Sequence, residues 1–237
     1  MPDLFCGERF LSLNQIKMAL YSLYLTNKYG FKLRKTSDTA EITRLRLEYS
    51  ETLLSRLNIS VEVKGAEKVS QGGQYLILSN HRSIIDPLVI EIALKNKGIH
   101  GLWISKKELY NSFFFGSFTR NAGTILLDRE SRQMGAFFKE IKQHVESGDS
   151  ICVFPEGTRN KEEAPLSEFK DGSQIIAVKN RLQMLPVFIK TNANSVLMDA
   201  IKNNTKDLVV SVEIGDLIDY KDRSKPLQET YQARFGL

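Results

Sequence analysis

From residue 60 onward, short apolar runs alternate with longer segments whose apolar residues recur every three or four positions. Val61 to Val63, Tyr75 to Leu78, Leu102 to Ile104, Ile125 to Leu127, Ile151 to Phe154, Leu185 to Ile189 and Leu208 to Ile214 read as strands. The clearest intervening helix covers 132 to 146, with Met134, Phe137, Phe138, Ile141 and Val145 on one face and Ser147-Gly148 as its stop. The pattern predicts a single layered α/β domain, a mainly parallel or mixed sheet flanked by helices. Ahead of it, 14 to 27 and 39 to 57 read as helices, the second with Ile42, Leu45, Tyr49, Leu53 and Leu57 at helical spacing. The expected organisation is a helical pair over 1–58 and the α/β domain over 59–237.

With 237 residues, 42% of them hydrophobic and 26% charged, the chain can bury a substantial core, and no linker or repeat marks a further domain. Cys6 and Cys152 are too far apart in sequence, and too few, to suggest a disulfide framework or a cysteine zinc site, which fits a reducing cytoplasmic setting. A net charge of +5 and a pI of about 9.1 favour an anionic partner: lipid headgroups, a phosphorylated substrate or nucleic acid.

No signal peptide is visible, and no apolar stretch approaches the roughly 20 residues that span a bilayer. Met18 to Asn27, closed by Lys17 and Lys28, would be a helix only ~15 Å long, enough to lie at an interface. Lys28, Lys32, Arg34 and Lys35 fill the expected interhelical connection beside Tyr29 and Phe31, a mixture suited to an anionic membrane surface. Two helices packed on the core with a solvated basic loop account for the same pattern. The expected location is the cytoplasmic face of a membrane, peripheral or monotopic.

Candidate chemistry begins with Ser79-Asn80-His81-Arg82-Ser83-Ile84-Ile85-Asp86-Pro87, directly after an apolar strand. On one continuous helix, His81 and Asp86 would point about 140° apart. Pro87 suits the first turn of a helix and Asp86 the N-cap before it, so the expected path is strand, turn, helix. His81 then sits at the strand's carboxyl end, where open α/β sheets carry ligand sites, and Asp86 can fold back toward it. From this stretch alone, an aspartate that only caps its helix explains the pattern equally well.

A second strand end carries Phe154-Pro155-Glu156-Gly157-Thr158-Arg159: a glycine that permits close backbone approach and an arginine suited to bidentate phosphate contacts. Gly123 to Arg129 again places an arginine just past an apolar run, and Lys106, Lys107 and the aromatic run Phe113 to Phe115 lie upstream. No G-x-S-x-G elbow is present, which argues against a serine hydrolase.

Asn80-His81 with Asp86 resembles the NHx4D motif of the glycerolipid acyltransferase family, and Phe154 to Arg159 resembles its FPEGTR motif. Gly123 to Arg129 is similar to the family's second block and Leu185-Pro186-Val187 to its fourth, so the likeness covers roughly residues 75 to 190. It is nearest to the bacterial members that acylate lysophosphatidate. Leu126, where phenylalanine is frequent, and Asn160, where serine is frequent, depart from the pattern.

The resemblance implies transfer of an acyl group from a thioester, acyl-CoA or acyl carrier protein, to the sn-2 hydroxyl of lysophosphatidate, giving phosphatidate. His81 would be the base and Asp86 its orienting partner. Arg129 and Arg159, with Lys107 assisting, would hold the phosphate within a substrate-binding set that includes Glu156, Gly157, Thr158 and Lys106. Glu156 would organise its loop, while the Gly157 N–H and Lys106 are candidate oxyanion donors. No cofactor or metal is expected. Phe113 to Phe115 and Phe118 fit core packing, an acyl channel or membrane contact. His100 and His144 have no motif around them and read as ordinary surface or boundary residues.

Two other functions compete. A sibling acyltransferase would use glycerol 3-phosphate, a lyso-ornithine lipid or another lysophospholipid. A non-enzymatic basic protein binding membranes or nucleic acid would explain the charge but not the His81 and Asp86 spacing, and no nucleic-acid motif is visible.

Overall fold

The computed structural model describes residues 12–128 and 134–237. Two helices, α1 (Leu13–Leu33) and α2 (Thr39–Arg56), lead into a sheet of seven strands: β1 (Ile59–Lys64), β2 (Leu76–Ser79), β3 (Gly101–Lys106), β4 (Ile125–Leu127), β5 (Ser150–Val153), β6 (Met184–Ile189) and β7 (Leu208–Ile214). Between the strands run α3 (Asp86–Leu94), α4 (Lys107–Tyr110), α5 (Gly116–Asn121), α6 (Met134–Glu146), α7 (Gly172–Asn180) and α8 (Ala193–Lys202), and α9 (Leu227–Phe235) closes the chain.

The strand order is β1-β7-β6-β2-β5-β3-β4. Every neighbouring pair is parallel except β6 with β7. Parallel strands are covered on both faces and so read as unbroken apolar runs. In β2 all four residues are buried, and in β6 all six. One face packs against α1, α2, α3 and α8, the other against α6, α7 and α9. The seven expected strands are all present, β4 and β7 with the expected ends and the others with ends shifted by at most two residues.

The first helix departs from expectation. It continues to Leu33, because Leu25, Tyr29 and Leu33 extend its buried stripe by whole turns. Lys28, Tyr29, Phe31 and Lys32 are therefore helical and not part of a basic loop, and only a short connection precedes Asp38, whose carboxylate accepts the Ala40 N–H at 3.2 Å and caps α2. At the other end of α1, Ser12 and Gln15 form a reciprocal capping box. The helical pair shares its core with the sheet: Met18, Leu25, Tyr29, Leu45, Tyr49 and Leu53 belong to the cluster that contains Val89, Ile90 and Trp103.

Gly30 sets the approach of α1 to α5. A Cβ there would lie 2.8 Å from the Phe118 amide nitrogen and 3.0 Å from the Ser117 carbonyl carbon. Gly30→Ala would gain about 1 kcal/mol of helix propensity but force the helices apart at a cost of ~1–3 kcal/mol. We expect a net loss, read as a melting temperature lower than the parent's. A higher one would show that α5 shifts freely.

Candidate active site

β2 and β5 are neighbours and parallel, with Leu76 opposite Ile151 and Leu78 opposite Val153, so the residues that follow them leave the sheet side by side. β3 lies next to β5, and β4 next to β3, in the same direction. The segments containing His81, Lys106, Asp128 and Glu156 consequently gather at one carboxyl edge, the usual ligand edge of such sheets.

Asn80 starts the site by leaving the sheet without leaving its hydrogen bonds. Its side-chain oxygen accepts the Ile189 N–H at 2.8 Å and its amide donates to the Ile189 carbonyl at 3.1 Å, so the side chain stands in for a strand partner of β6. The main chain can then turn at His81.

Asp86 occupies the first turn of α3 with Pro87 behind it, as the sequence predicts, but it does not cap the helix; Ile85 takes the N-cap position and no side chain bonds there. The carboxylate points backward instead. Its Oδ2 accepts from His81 Nδ1 at 2.9 Å and from the Arg82 and Ser83 amides at 2.6 Å each. Those amides can only donate, so Oδ2 is an acceptor and Nδ1 carries the ring proton. In the neutral ring this tautomer puts the lone pair on Nε2. Asp86 is buried, and its other oxygen, Oδ1, has no hydrogen-bond donor among the described residues.

Glu156 is also buried, and both its oxygens are engaged. Oε1 accepts the His81 backbone N–H at 2.7 Å; Oε2 accepts the Ser167 amide at 2.9 Å and the Ser167 hydroxyl. Four residues on, the Asn160 N–H donates to the His81 carbonyl at 2.6 Å. The segment 156–160 thus grips the His81 residue by its N–H and its C=O. Asn160 is the buried residue that departs from the family pattern, and its side chain builds the next turn, accepting from Glu162 N and donating to Ala164 O, both at 2.8 Å. Arg82 Nη2 donates to the Glu162 and Glu163 carbonyls of that turn.

The imidazole lies flat on Phe154, ring centroids 3.9 Å apart and planes 8° apart, and Phe154 in turn stacks on Trp103 at 4.9 Å and 24°. Neither Phe154, Asn160, Ser167 nor Arg82 was marked by the sequence as part of the site. Phe154 carried a signal as the apolar residue inside the strand-end motif, Asn160 as the departure just after it, and Arg82 as the neighbour of His81 in the other strand-end turn.

The remaining expected residues are placed as follows. Thr158 and Arg159 are exposed on the loop between the two anchor points. Gly157 adopts a φ of +68°, which only glycine takes readily, and its N–H donates to the Phe154 carbonyl at 2.9 Å. That turn bond removes it as an oxyanion donor in this conformation. Lys106 ends β3, and Lys107 pairs with Asp128 at 2.7 Å, so its charge is shared with a carboxylate. Arg129 lies outside the described residues.

A second histidine repeats the spacing: His144 Nδ1 is 3.0 Å from Asp149 Oδ2. That pair closes the end of α6, where Gln74 also bonds the Val145 and Asp149 carbonyls. It has no aromatic floor among the described residues, and the His144 carbonyl is bonded by its own turn, from the Ser147 and Asp149 amides at 3.1 and 3.0 Å.

Residues 60–190 match the family model described as Acyltransferase. A 1-acyl-sn-glycerol-3-phosphate acyltransferase of Helicobacter pylori is 31% identical over 170 residues, covering 69% of this chain and 70% of that protein. The Streptococcus pneumoniae protein of the same name is 26% identical, covering 73% of this chain but 61% of its own length. Among solved structures, the 1-acyl-sn-glycerophosphate acyltransferase PlsC of Thermotoga maritima superposes with a TM-score of 0.67 at 22% identity, over 94% of this chain and 92% of that one. The strand-end turns at His81 and Glu156 both fall within the matched span, and the motif resemblance and the match agree: this chain belongs to the Acyltransferase family.

Proposed function

We infer that the protein is a lysophosphatidate acyltransferase, moving an acyl group from acyl-CoA or acyl carrier protein to the sn-2 hydroxyl of lysophosphatidate. The observation that carries the mechanism is a histidine with Asp86 on Nδ1 and no protein hydroxyl bonded to its ring among the described residues. The nearby serines are engaged elsewhere: Ser79 Oγ donates to the Asn80 carbonyl and Ser83 Oγ accepts the Ile85 N–H. The attacking hydroxyl then comes from the acceptor.

In this mechanism His81 Nε2 takes the hydroxyl proton as the oxygen attacks the thioester carbonyl, and Asp86 holds the ring and offsets its positive charge. Collapse of the tetrahedral intermediate breaks the C–S bond. The imidazolium returns its proton to the thiolate leaving group, which departs as the free thiol, and the acyl ester remains on the acceptor. Glu156 acts on the His81 backbone and does not face the substrate phosphate, which it would repel. Arg159 and Arg129 bind that phosphate, and Lys106 is the remaining candidate donor to the oxyanion.

The acceptor and product are amphiphiles, and the outer face of α1 suits their source. Leu13, Ile16, Leu20, Tyr24 and Phe31 are exposed along one stripe of α1, flanked by Lys17, Lys28 and Lys35, with Lys35 Nζ 4.6 Å above the Phe31 ring. Phe113, 88% exposed, projects between α4 and α5, and α5 packs on α1. We assign this face to an anionic bilayer surface. No described helix is long and apolar enough to cross one.

Purified protein should form phosphatidate from lysophosphatidate and an acyl thioester. His81→Ala should lower kcat by at least the ~10²–10⁴-fold typical of a general base. Two isosteric amides should behave differently. In Asp86→Asn the amide oxygen can replace Oδ2 while the NH2 takes the undonated Oδ1 position, so the rate falls and the fold persists. In Glu156→Gln an NH2 must face another donor, so stability drops by about 1.5–3 kcal/mol as well. Equal melting temperatures for the two would overturn the clamp.

Arg159→Ala should weaken the acceptor by about 1.5–3 kcal/mol, the range for a charge-assisted bond, and leave the KM for the acyl donor unchanged. The same loss with a phosphate-free acceptor would show that Arg159 does not read phosphate. For the bilayer face, the double change Leu20→Ser and Tyr24→Ser should abolish flotation with anionic vesicles at low salt and preserve the melting temperature, because both side chains are 62% exposed. A large stability loss with unaltered flotation would sink the membrane assignment.

A further inference from the structure

Arg46 of α2 and Glu91 of α3 form an ion pair in the interior, both side chains below one-tenth exposed. Glu91 Oε1 accepts from Arg46 Nε at 3.0 Å, from Arg46 Nη2, and from the Trp103 indole N–H at 3.1 Å. Arg46 also donates to the Gly101 carbonyl at 2.8 Å and the Ala122 carbonyl at 3.5 Å. A charge so placed is costly unless fully paired and hydrogen-bonded. Here the pairing fixes something specific: the edge of Trp103, whose face carries Phe154, whose other face carries His81.

We propose that Trp103 and Phe154 are positioning residues for His81, a stacked column that sets the plane of the imidazole and is braced from below by the Arg46–Glu91 pair. The inference rests on His81 being the base. Two bonds alone leave the ring a freedom that matters. Asp86 holds one edge through Nδ1 and the 156–160 segment fixes the backbone, but a single bond at one edge does not hold the ring plane rigidly against rotation about Cβ–Cγ, a broad torsion in histidine. A flat aromatic surface 3.9 Å below and parallel within 8° does.

The geometry is set by one rigid element. α3 carries Asp86 in its first turn and Glu91 a little over one turn later. The same helix therefore holds the edge of the imidazole at one end of the column and the edge of the indole at the other. Phe154 comes from the end of β5, and Trp103 from β3 next to it, paired in register with Cys152. The face of Phe154 also presents the electron-rich side of its quadrupole to a ring that becomes positively charged during the reaction. A leucine would fill the volume but supply neither the plane nor the quadrupole.

The chain has three histidines and a single tryptophan, which makes the column directly observable. In the proton spectrum of the parent, the imidazole signals that vanish in His81→Ala should lie upfield of those of His100 and His144, because ring current from Phe154 shields them. Phe154→Leu should move them downfield, and so should Trp103→Leu, although Trp103 does not touch His81. Phe154→Tyr, which keeps the ring, should leave them near the parent position. In phosphatidate formation, Phe154→Leu should lose on the order of ten- to a hundredfold in kcat, as small misplacements of a catalytic group do, with both KM values nearly unchanged, and Phe154→Tyr should restore most of it. A His81 signal indifferent to Phe154→Leu or to Trp103→Leu overturns the proposal, as does equal kcat for the leucine and tyrosine variants. The spectra read the column without turnover, so an inactive parent would defeat the functional reading and leave this one to be decided by the shifts.

Discussion

Two parallel strands that end together make this site. Because β2 and β5 run in the same direction with Leu78 opposite Val153, the turn after one and the turn after the other are forced into contact. Neither turn is sufficient alone. The His81 turn supplies an imidazole and an aspartate but has backbone groups pointing out of the sheet with no strand to receive them, and buried backbone groups need partners. The Glu156 turn supplies an acceptor for the N–H and, through Asn160, a donor for the C=O.

Three buried carboxylates serve three distinct ends. Asp86 gathers three N–H donors on one oxygen and so fixes a tautomer. Glu156 spreads its acceptance over both oxygens and so ties two loops. Glu91 meets a full positive charge and so anchors an aromatic ring. Each burial carries a desolvation penalty that these bonds offset, in part only at Asp86, whose Oδ1 has no donor among the described residues. Beneath the site, the fully buried Tyr231 of α9 donates to the Val187 carbonyl at 2.9 Å, and burial pushes its hydroxyl well above the ordinary tyrosine range, so it stays a neutral donor. Gln228 of the same helix bonds the Phe169 N–H and the Ser167 carbonyl, so α9 steadies the segment that holds Glu156.

What could be read in advance was whatever depends on sequence neighbours. Apolar runs marked all seven strands, and a histidine five residues before Asp-Pro marked the turn. The role of Asp86 was only half legible, since an aspartate before proline looks the same whether it caps forward or bonds backward, and the choice is made by amides at 82 and 83 that the turn presents to it. The reach of α1 was missed because the basic residues at 28 and 32 disguised a core stripe continuing through Tyr29 and Leu33. The target of Glu156, the grip of Asn160 and the stack of Phe154 on Trp103 depend on the order β2-β5-β3, which no local pattern contains. The His144 and Asp149 pair makes the same point in reverse. Its spacing equals that of His81 and Asp86, yet it closes a helix end, so spacing nominates a pair and the neighbouring strand decides its use.

The helical pair is continuous with this machinery. α1 shows an apolar stripe outward and packs Met18, Leu25 and Tyr29 inward, where Tyr49 of α2 bonds Thr26 at 2.9 Å and lies against Phe118 of α5. α2 then sends Arg46 through the interior to Glu91, the residue that holds Trp103. From the face we assign to the bilayer, an unbroken set of packed contacts and buried hydrogen bonds therefore reaches the floor beneath the imidazole. Interiors packed at crystal-like density transmit displacement and do not absorb it. The helix that carries the face we assign to the bilayer, α1, packs on α2, and α2 braces α3 and Trp103 through Arg46, so that face and the plane of His81 are joined through one shared core.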